Sequence, residues 1–428
     1  MTRAHHHHRN RLRGFGYLSR LGPGVVTGAA DDDPSGIGTY SQVGASFGLG
    51  YVWTAPVALP LAAAVQETAA RLGLVTGKGL AALIRERFPR WVLYGSVLLV
   101  CVANVFNIGA DLGAMAASLR LVVPVPQIAL LFAFAAGTLA LEVFVPYHQY
   151  SRVLRWLTLS LGAYVAVLFA VHVDWGTVAR MVFVPGLPGG RSGLAALIAV
   201  FGTTVSPYLF FWQASEEVEE ELEERKRAGR SARAPGPVKA EHCRLMRLDV
   251  VAGMASAVAV MFAIMVSSAV TLGAHGLTTI QTADQAARAL RPIAGPVAGL
   301  LFALGVVGTG MLAVPVLAGS TAYALAETFG WREGLSRTLR EAHGFYGAMA
   351  AALAVGLTLG FVGVNPIRAL YFAAILNGLA APPLILVMLL LSNSKDALGR
   401  WSAGWLSNVL VGAALILMTL LPLAYLLS

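Results

Sequence analysis

Three aspartates stand in a row at Asp31, Asp32 and Asp33, followed at once by Pro34 and then by Gly36 and Gly38, with apolar residues on both sides. Carboxylates are costly in hydrocarbon, so a run of them inside an apolar segment marks a site rather than a surface. Proline removes an amide donor and crowds the preceding turn, and glycine loosens what remains. The segment GPGVVTGAADDDPSGIGTYSQVGASFG therefore predicts a helix broken near its middle. Carbonyl oxygens freed beside carboxylates make a cation site. A reading of the aspartates as exposed loop residues conflicts with the apolar flanks. A second interruption lies in GLAALIAVFGTTVSPYLFFWQAS, where Gly202, Thr203, Thr204, Ser206 and Pro207 break an apolar run. One such break is common in membrane helices. Two at matching places, one of them acidic, point to a transport site.

The elements that must position these residues are transmembrane helices. Hydrophobic residues make up 57% of the 428 and charged residues 12%, about half the charge of a soluble domain. Eleven apolar blocks of about 20 residues are centred near 33, 61, 105, 135, 163, 205, 260, 308, 352, 380 and 415, each long enough to cross a bilayer. The breaks fall in the first and sixth blocks. That spacing predicts an all-α polytopic membrane protein of eleven transmembrane helices, a 5+5 inverted repeat with broken helices 1 and 6 and the site at the midplane. Repeat one covers about 20–175 and repeat two about 193–392, within a core of 20–400. A tail of 1–19 precedes it, a loop of about 215–247 interrupts it, and an extra helix of 401–428 follows.

Charge sets the expected orientation. With the N-terminus inside, 25 of the 31 Lys and Arg fall on inside segments; the six outside are Arg120, Arg180, Arg191, Arg288, Arg291 and Arg368. This is the positive-inside pattern, and it accounts for the net charge of +9 without a nucleic-acid partner. The stretch from Ser215 to Arg247 reads as a helix leaving the membrane, acidic then basic, followed by an Ala-Pro-Gly linker. His5 to His8 read as tail or tag, no cleavable signal is evident, and Cys101 and Cys243 predict neither a disulfide nor a zinc site. Nothing resembles a Walker loop, a nucleophile constellation or H-E-x-x-H, so an enzyme is not expected. Asn104, Asn107 and Asn377 line the path or bridge helices, and Pro315 is a kink in a glycine-rich span. Glu142, Tyr147 and His148 are expected at an interface.

Several motifs together resemble the Nramp family of divalent metal transporters over roughly residues 20–400. They are Gly22-Pro23-Gly24 ahead of Asp33-Pro34-Ser35-Gly36, the run Gln66–Pro89, Asn107–Ala116 (NIGADLGAMA) and Gly202–Tyr208 (GTTVSPY). The resemblance implies the amino-acid/sodium-symporter-like fold and a multi-pass protein of the inner (plasma) membrane, N-terminus cytoplasmic. It implies a transported divalent ion with no resident cofactor, and no protein partner beyond the lipid bilayer. The family holds its metal with an Asp and an Asn in the first motif and a methionine sulfur and alanine carbonyl in the sixth span. Here Asp33 matches the Asp, while Gly36, Thr203 and Ser206 stand for the Asn, Ala and Met. Tyr208 and Gln213 replace two histidines. Asp111 matches an acid of the proton pathway, whose usual partner is Ala114.

The metal ligands so implied are Asp33, Gly36, Thr203 and Ser206, with Asp32 and Tyr208 secondary or water-mediated, and with Asp111, Asn107 and Gln213 on a polar pathway. Successive helical residues point about 100° apart, so the three aspartates are not expected to face one ion. Oxygen-only ligands suit Mg²⁺, which keeps several waters, whereas a thioether favours manganese, iron and other transition ions; the pattern resembles the Nramp-related magnesium transporters, a branch described as carrying Mg²⁺ and Mn²⁺. Without His or paired acids the expectation is uptake without proton coupling. Glu67 and Asp111 are then expected to be bonded within the bundle. The alternatives are a proton-coupled Mn²⁺/Fe²⁺ importer and a sodium-coupled organic-solute transporter.

Overall fold

The computed structural model describes residues 22–145, 159–227, 238–361 and 365–428. Tyr147, His148, the histidine run and the Ala-Pro-Gly linker lie outside the described residues. Every long element is helical. The first apolar block is two short helices, α1 (Pro23–Asp31) and α2 (Pro34–Phe47). After them come α3 (Thr54–Thr76), the short α4 (Leu80–Arg87), α5 (Arg90–Leu119) and α6 (Gln127–Phe144). Next are α7 (Gly162–Ala170) and α8 (Trp175–Phe183). The sixth block is again two helices, α9 (Gly190–Thr204) and α10 (Pro207–Arg227). The rest are α11 (Ala240–Thr271), α12 (Ala298–Phe329), α13 (His343–Leu359), α14 (Pro366–Ser392) and α15 (Trp405–Leu427). Among the described residues seven helices are long and apolar enough to span a bilayer, or nine if each of two sharply bent pairs is one span. α12 runs on through Pro315.

Both breaks follow from local chemistry. Asp33 precedes a proline, which excludes it from the helical region, and its backbone is extended (ψ 170°). It then caps α2, with Pro34 in the first helical turn where no amide is needed. Pro207 opens α10 in the same way.

Glycines bring the broken helices against their neighbours. A Cβ on Gly28 would lie 2.3 Å from the Gly253 carbonyl of α11, and one on Gly202 would lie 2.1 Å from the Ala374 carbonyl of α14. Backbone touches backbone at both places, as small residues allow between membrane helices.

The acidic run continues α10, as the sequence reading of a helix running on from Ser215 expected, and its first residues pack into the bundle. Ser215 and Glu217 are buried. Glu219 accepts hydrogen bonds from the Tyr323 hydroxyl and from the Leu335 and Ser336 amides. Glu142 is buried too, at 4% exposure, rather than interfacial.

A methyl group at residue 202 has nowhere to go. Gly202→Ala is expected to lose about 1–3 kcal/mol of stability, the cost of overpacking. Gly137→Ala, which meets nothing within 4 Å, is expected to lose none. Thermal unfolding of the detergent-solubilised variants checks this pair.

Candidate functional site

The two breaks meet, and their side chains bond across the gap. Ser35 Oγ lies 3.1 Å from Thr203 Oγ1. Tyr40 hydroxyl lies 2.8 Å from Thr204 Oγ1. Tyr208 donates its hydroxyl proton to the Ala30 carbonyl in the last turn of α1, 3.0 Å away. Thr27 donates to Gln213 Oε1, and Gln213 Nε2 donates to Glu217 at 2.9 Å. A polar chain therefore runs from the α1 break along α10 towards the end of the bundle that carries α4.

Asp33 is the most firmly held carboxylate. Its Oδ1 accepts from the Gly36 amide and the Ser35 hydroxyl, both at 2.7 Å. It is 1% exposed. Gly36 contributes no side chain. A Cβ there would meet the Tyr40 ring edge at 3.3 Å, the Asp31 carbonyl at 3.4 Å and Asp33 Oδ1 at 3.6 Å, so ring carbon and oxygen both border the position. Ser206 spends its hydroxyl proton on the Gly202 and Thr203 carbonyls, at 3.1 and 2.8 Å, which satisfies the frayed end of α9.

Other groups are buried without a partner. Asp31 Oδ1, both oxygens of Asp111 and both amide atoms of Asn107 and Asn377 make no hydrogen bond. Asp111 faces the Ser35 amide and lies close enough to Asp33 to interact with its charge. Glu67, by contrast, is paired with Arg247 at 2.8 Å and with Arg71 at 3.4 Å, bonded within the bundle as expected. Asp32, between Asp31 and Asp33 in the chain, is buried as well. Among the described residues no three His, Cys, Asp or Glu side chains converge on a point that could hold a metal.

Sequence reasoning missed several groups. Met261 Sδ on α11 sits 3.7 Å from Thr204 Oγ1, a thioether beside the second break. At the α4 end, carboxylates cap helix starts. Asp249 accepts from the Gly22 and Gly24 amides at 3.3 and 2.7 Å. Glu327 accepts from the Ala82 amide and the Ser215 hydroxyl at 2.9 and 2.8 Å. Glu333, in the connection after α12, is pushed up to about 9 by burial and by Glu327 and Glu219 beside it. No spacing signal links these residues, because their partners lie far away in the chain.

The comparisons with known proteins agree with this geometry. The family model described as natural resistance-associated macrophage protein-like (Nramp) matches residues 24–428. The "Divalent metal cation transporter MntH" of Burkholderia ambifaria is 26% identical over 410 residues, covering 93% of this chain and 86% of that protein. The crystal structure of the Eremococcus coleocola manganese transporter superposes with a TM-score of 0.73 at 19% identity, over 96% of this chain and 86% of the other. MHP1, a nucleobase-cation-symport-1 family transporter, shares the fold at a TM-score of 0.59 and 15% identity, over 95% and 92% of the two chains.

Asp33 has two separable duties, a helix cap and a buried charge. Asp33→Asn keeps an acceptor for the Gly36 amide and is expected to leave the unfolding temperature unchanged. Asp33→Ala removes the cap and is expected to cost about 1 kcal/mol. Unfolding of the two variants side by side tests the assignment.

Proposed function

The chain belongs to the Nramp family, and from that premise we propose that it takes up divalent metal ions, Mg²⁺ and Mn²⁺ in preference to softer ions, through the gap between its two helix breaks. The observation that supports the reading is the meeting of the two helix breaks beside the buried Asp33 carboxylate, where Ser35 Oγ lies 3.1 Å from Thr203 Oγ1. Asp33, Gly36, Thr203 and Ser206 form the proposed ion site, with Asp32 and Tyr208 acting through water. Asp111, Asn107 and Gln213 continue the polar path.

A hard-oxygen site that leaves room for water suits magnesium and manganese. The C-terminal ends of α1 and α9 add the negative ends of two helix dipoles. The Met261 thioether is turned to the Thr204 hydroxyl, so it does not tilt the reading towards softer ions. The membrane potential supplies roughly 4.6 kcal/mol per 100 mV for a divalent ion, enough for uptake without a coupled proton. The proposed frame is the 5+5 inverted repeat, eleven spans with the appended helix 401–428, and the N-terminus and α4 on the cytoplasmic side.

A second reading, proton-coupled import of Mn²⁺ or Fe²⁺, is favoured by one feature. The unpartnered Asp111 carboxylate near Asp33 could take up a proton.

Reconstitution into vesicles decides between them. Mg²⁺ and Mn²⁺ influx is expected in the wild type under an inside-negative potential and is expected to fall at least tenfold in Asp33→Asn, whose cap is intact. An enclosed pH dye is expected to stay flat during influx. Acidification in step with metal entry would select the proton-coupled importer, and undiminished influx in Asp33→Asn would remove Asp33 from the path.

A further inference from the structure

We propose that residues 277–282 form the outer lid of the transport path, with Ile280 as its apolar plug and Gln42 as the clasp that holds it shut. The inference rests on the transport reading above and assigns the residues that control access to the site.

Beyond Pro34, on the side away from α4, lies a small cavity with room for about one water. Pro34, Ser41, Ser118, Ile280, Phe302 and Leu370 are among the residues that border it. Pro34 follows Asp33 directly, so the cavity reaches the first turn of the helix that Asp33 caps. Ser41 and Ser118 are completely buried, and neither hydroxyl makes a hydrogen bond. Ser41 has the Tyr164 phenol beside it. Two unsatisfied hydroxyls in a chamber otherwise walled by apolar groups are costly unless water or a hydrated ion reaches them.

Ile280 closes this chamber and is 2% exposed. Its backbone is fixed from two helices. The Ile280 amide donates to Gln42 Oε1 at 2.8 Å, while Gln42 Nε2 donates to the Thr278 carbonyl at 2.9 Å. Ser46, one turn along α2, donates to the same carbonyl at 2.7 Å. From the other side Asn365, which caps α14, donates to the Gln281 carbonyl at 2.8 Å. The lid is thus tied to α2 and α14, and Leu370 of α14 fills the space beside Gly38. The bonds to Thr278 and Gln281 are exposed, so water can replace them at little cost, as a reversible clasp requires. With the lid shut, Ile280 and Phe302 make an apolar constriction that a hydrated cation cannot pass, which gates by dewetting.

The test is accessibility. In a chain with Cys101→Ala and Cys243→Ala, Ser118→Cys places a thiol in the chamber. A charged, membrane-impermeant thiol reagent is applied from each side of sealed vesicles in turn. Gln42→Ala and Ile280→Ala are each expected to raise the labelling rate at least fivefold, from the outer side only. Ala322→Cys, buried in the α4-end half of α12, serves as control and is expected to stay unlabelled in every background. Unchanged rates, labelling from the other side, or an equal rise at the control would overturn the lid. Labelling needs no ion, so its failure leaves the ion reading standing, and lost influx in Asp33→Asn leaves the lid standing.

Discussion

A helix that stops in the middle of a membrane leaves amides and carbonyls with no water to turn to, each worth several kcal/mol if unmet. In this bundle each break meets part of that cost locally and part from the other break. Asp33 and Tyr208 serve the first break, at the Gly36 amide and the Ala30 carbonyl. Ser206 serves the second, and Ser320 of α12 donates to the Tyr208 carbonyl just beyond it. The breaks are therefore interdependent. Separating them would strand the Ala30 carbonyl and the Ser35–Thr203 pair at the same time. Among the groups still unmet after this accounting are the acids Asp31 and Asp111 and the amides Asn107 and Asn377. A hydrated cation is a natural complement to such a set.

Closeness of this kind needs helices without side chains in the way. Gly24 and Gly28 let α1 press on Gly253 of α11, and Gly202 lets α9 press on Gly378 of α14. Asp249 then pins the start of α1, while the end of α1 carries Asp31. One nine-residue helix thus links a capping carboxylate at the α4 end to the ion-facing break. Glu219 and Glu327 hold the neighbouring connections in the same manner. Asp249 and Glu327 accept from helix starts, while on α10 Glu217 accepts from Gln213 and Glu219 from Tyr323 and two turn amides, so these buried carboxylates have donors.

Much of this was legible in the sequence. Pro34 after Asp33, and Pro207 after Ser206, announce helix breaks because proline acts through local geometry. The apolar blocks announce helices for the same reason, since length and hydropathy are local properties. Glu67 was legible as a structural group because acids in a bundle need partners, though not that the partner is Arg247. The burial of Glu217 and Glu142 was not legible, nor was the missing partner of Asp111. Whether a carboxylate is solvated depends on what other helices bring to it. The clasp at Gln42 was hidden for the same reason: its partners at Thr278 and Ile280 are more than 200 positions away.

The arrangement around Ala30 bears on whether an ion and the resting structure compete. A carbonyl oxygen has two lone pairs, and the Tyr208 hydroxyl occupies one of them at Ala30. Tyr208 thus fixes the end of α1 while leaving that oxygen able to face a cation. Asp33 serves its own break, where its Oδ1 holds the Gly36 amide and the Ser35 hydroxyl. A divalent cation beside Asp33, with Asp31, Asp32 and Asp111 near, reduces a concentration of negative charge that low dielectric makes expensive. In the uptake proposed above, a bound divalent ion would supply that neutralisation.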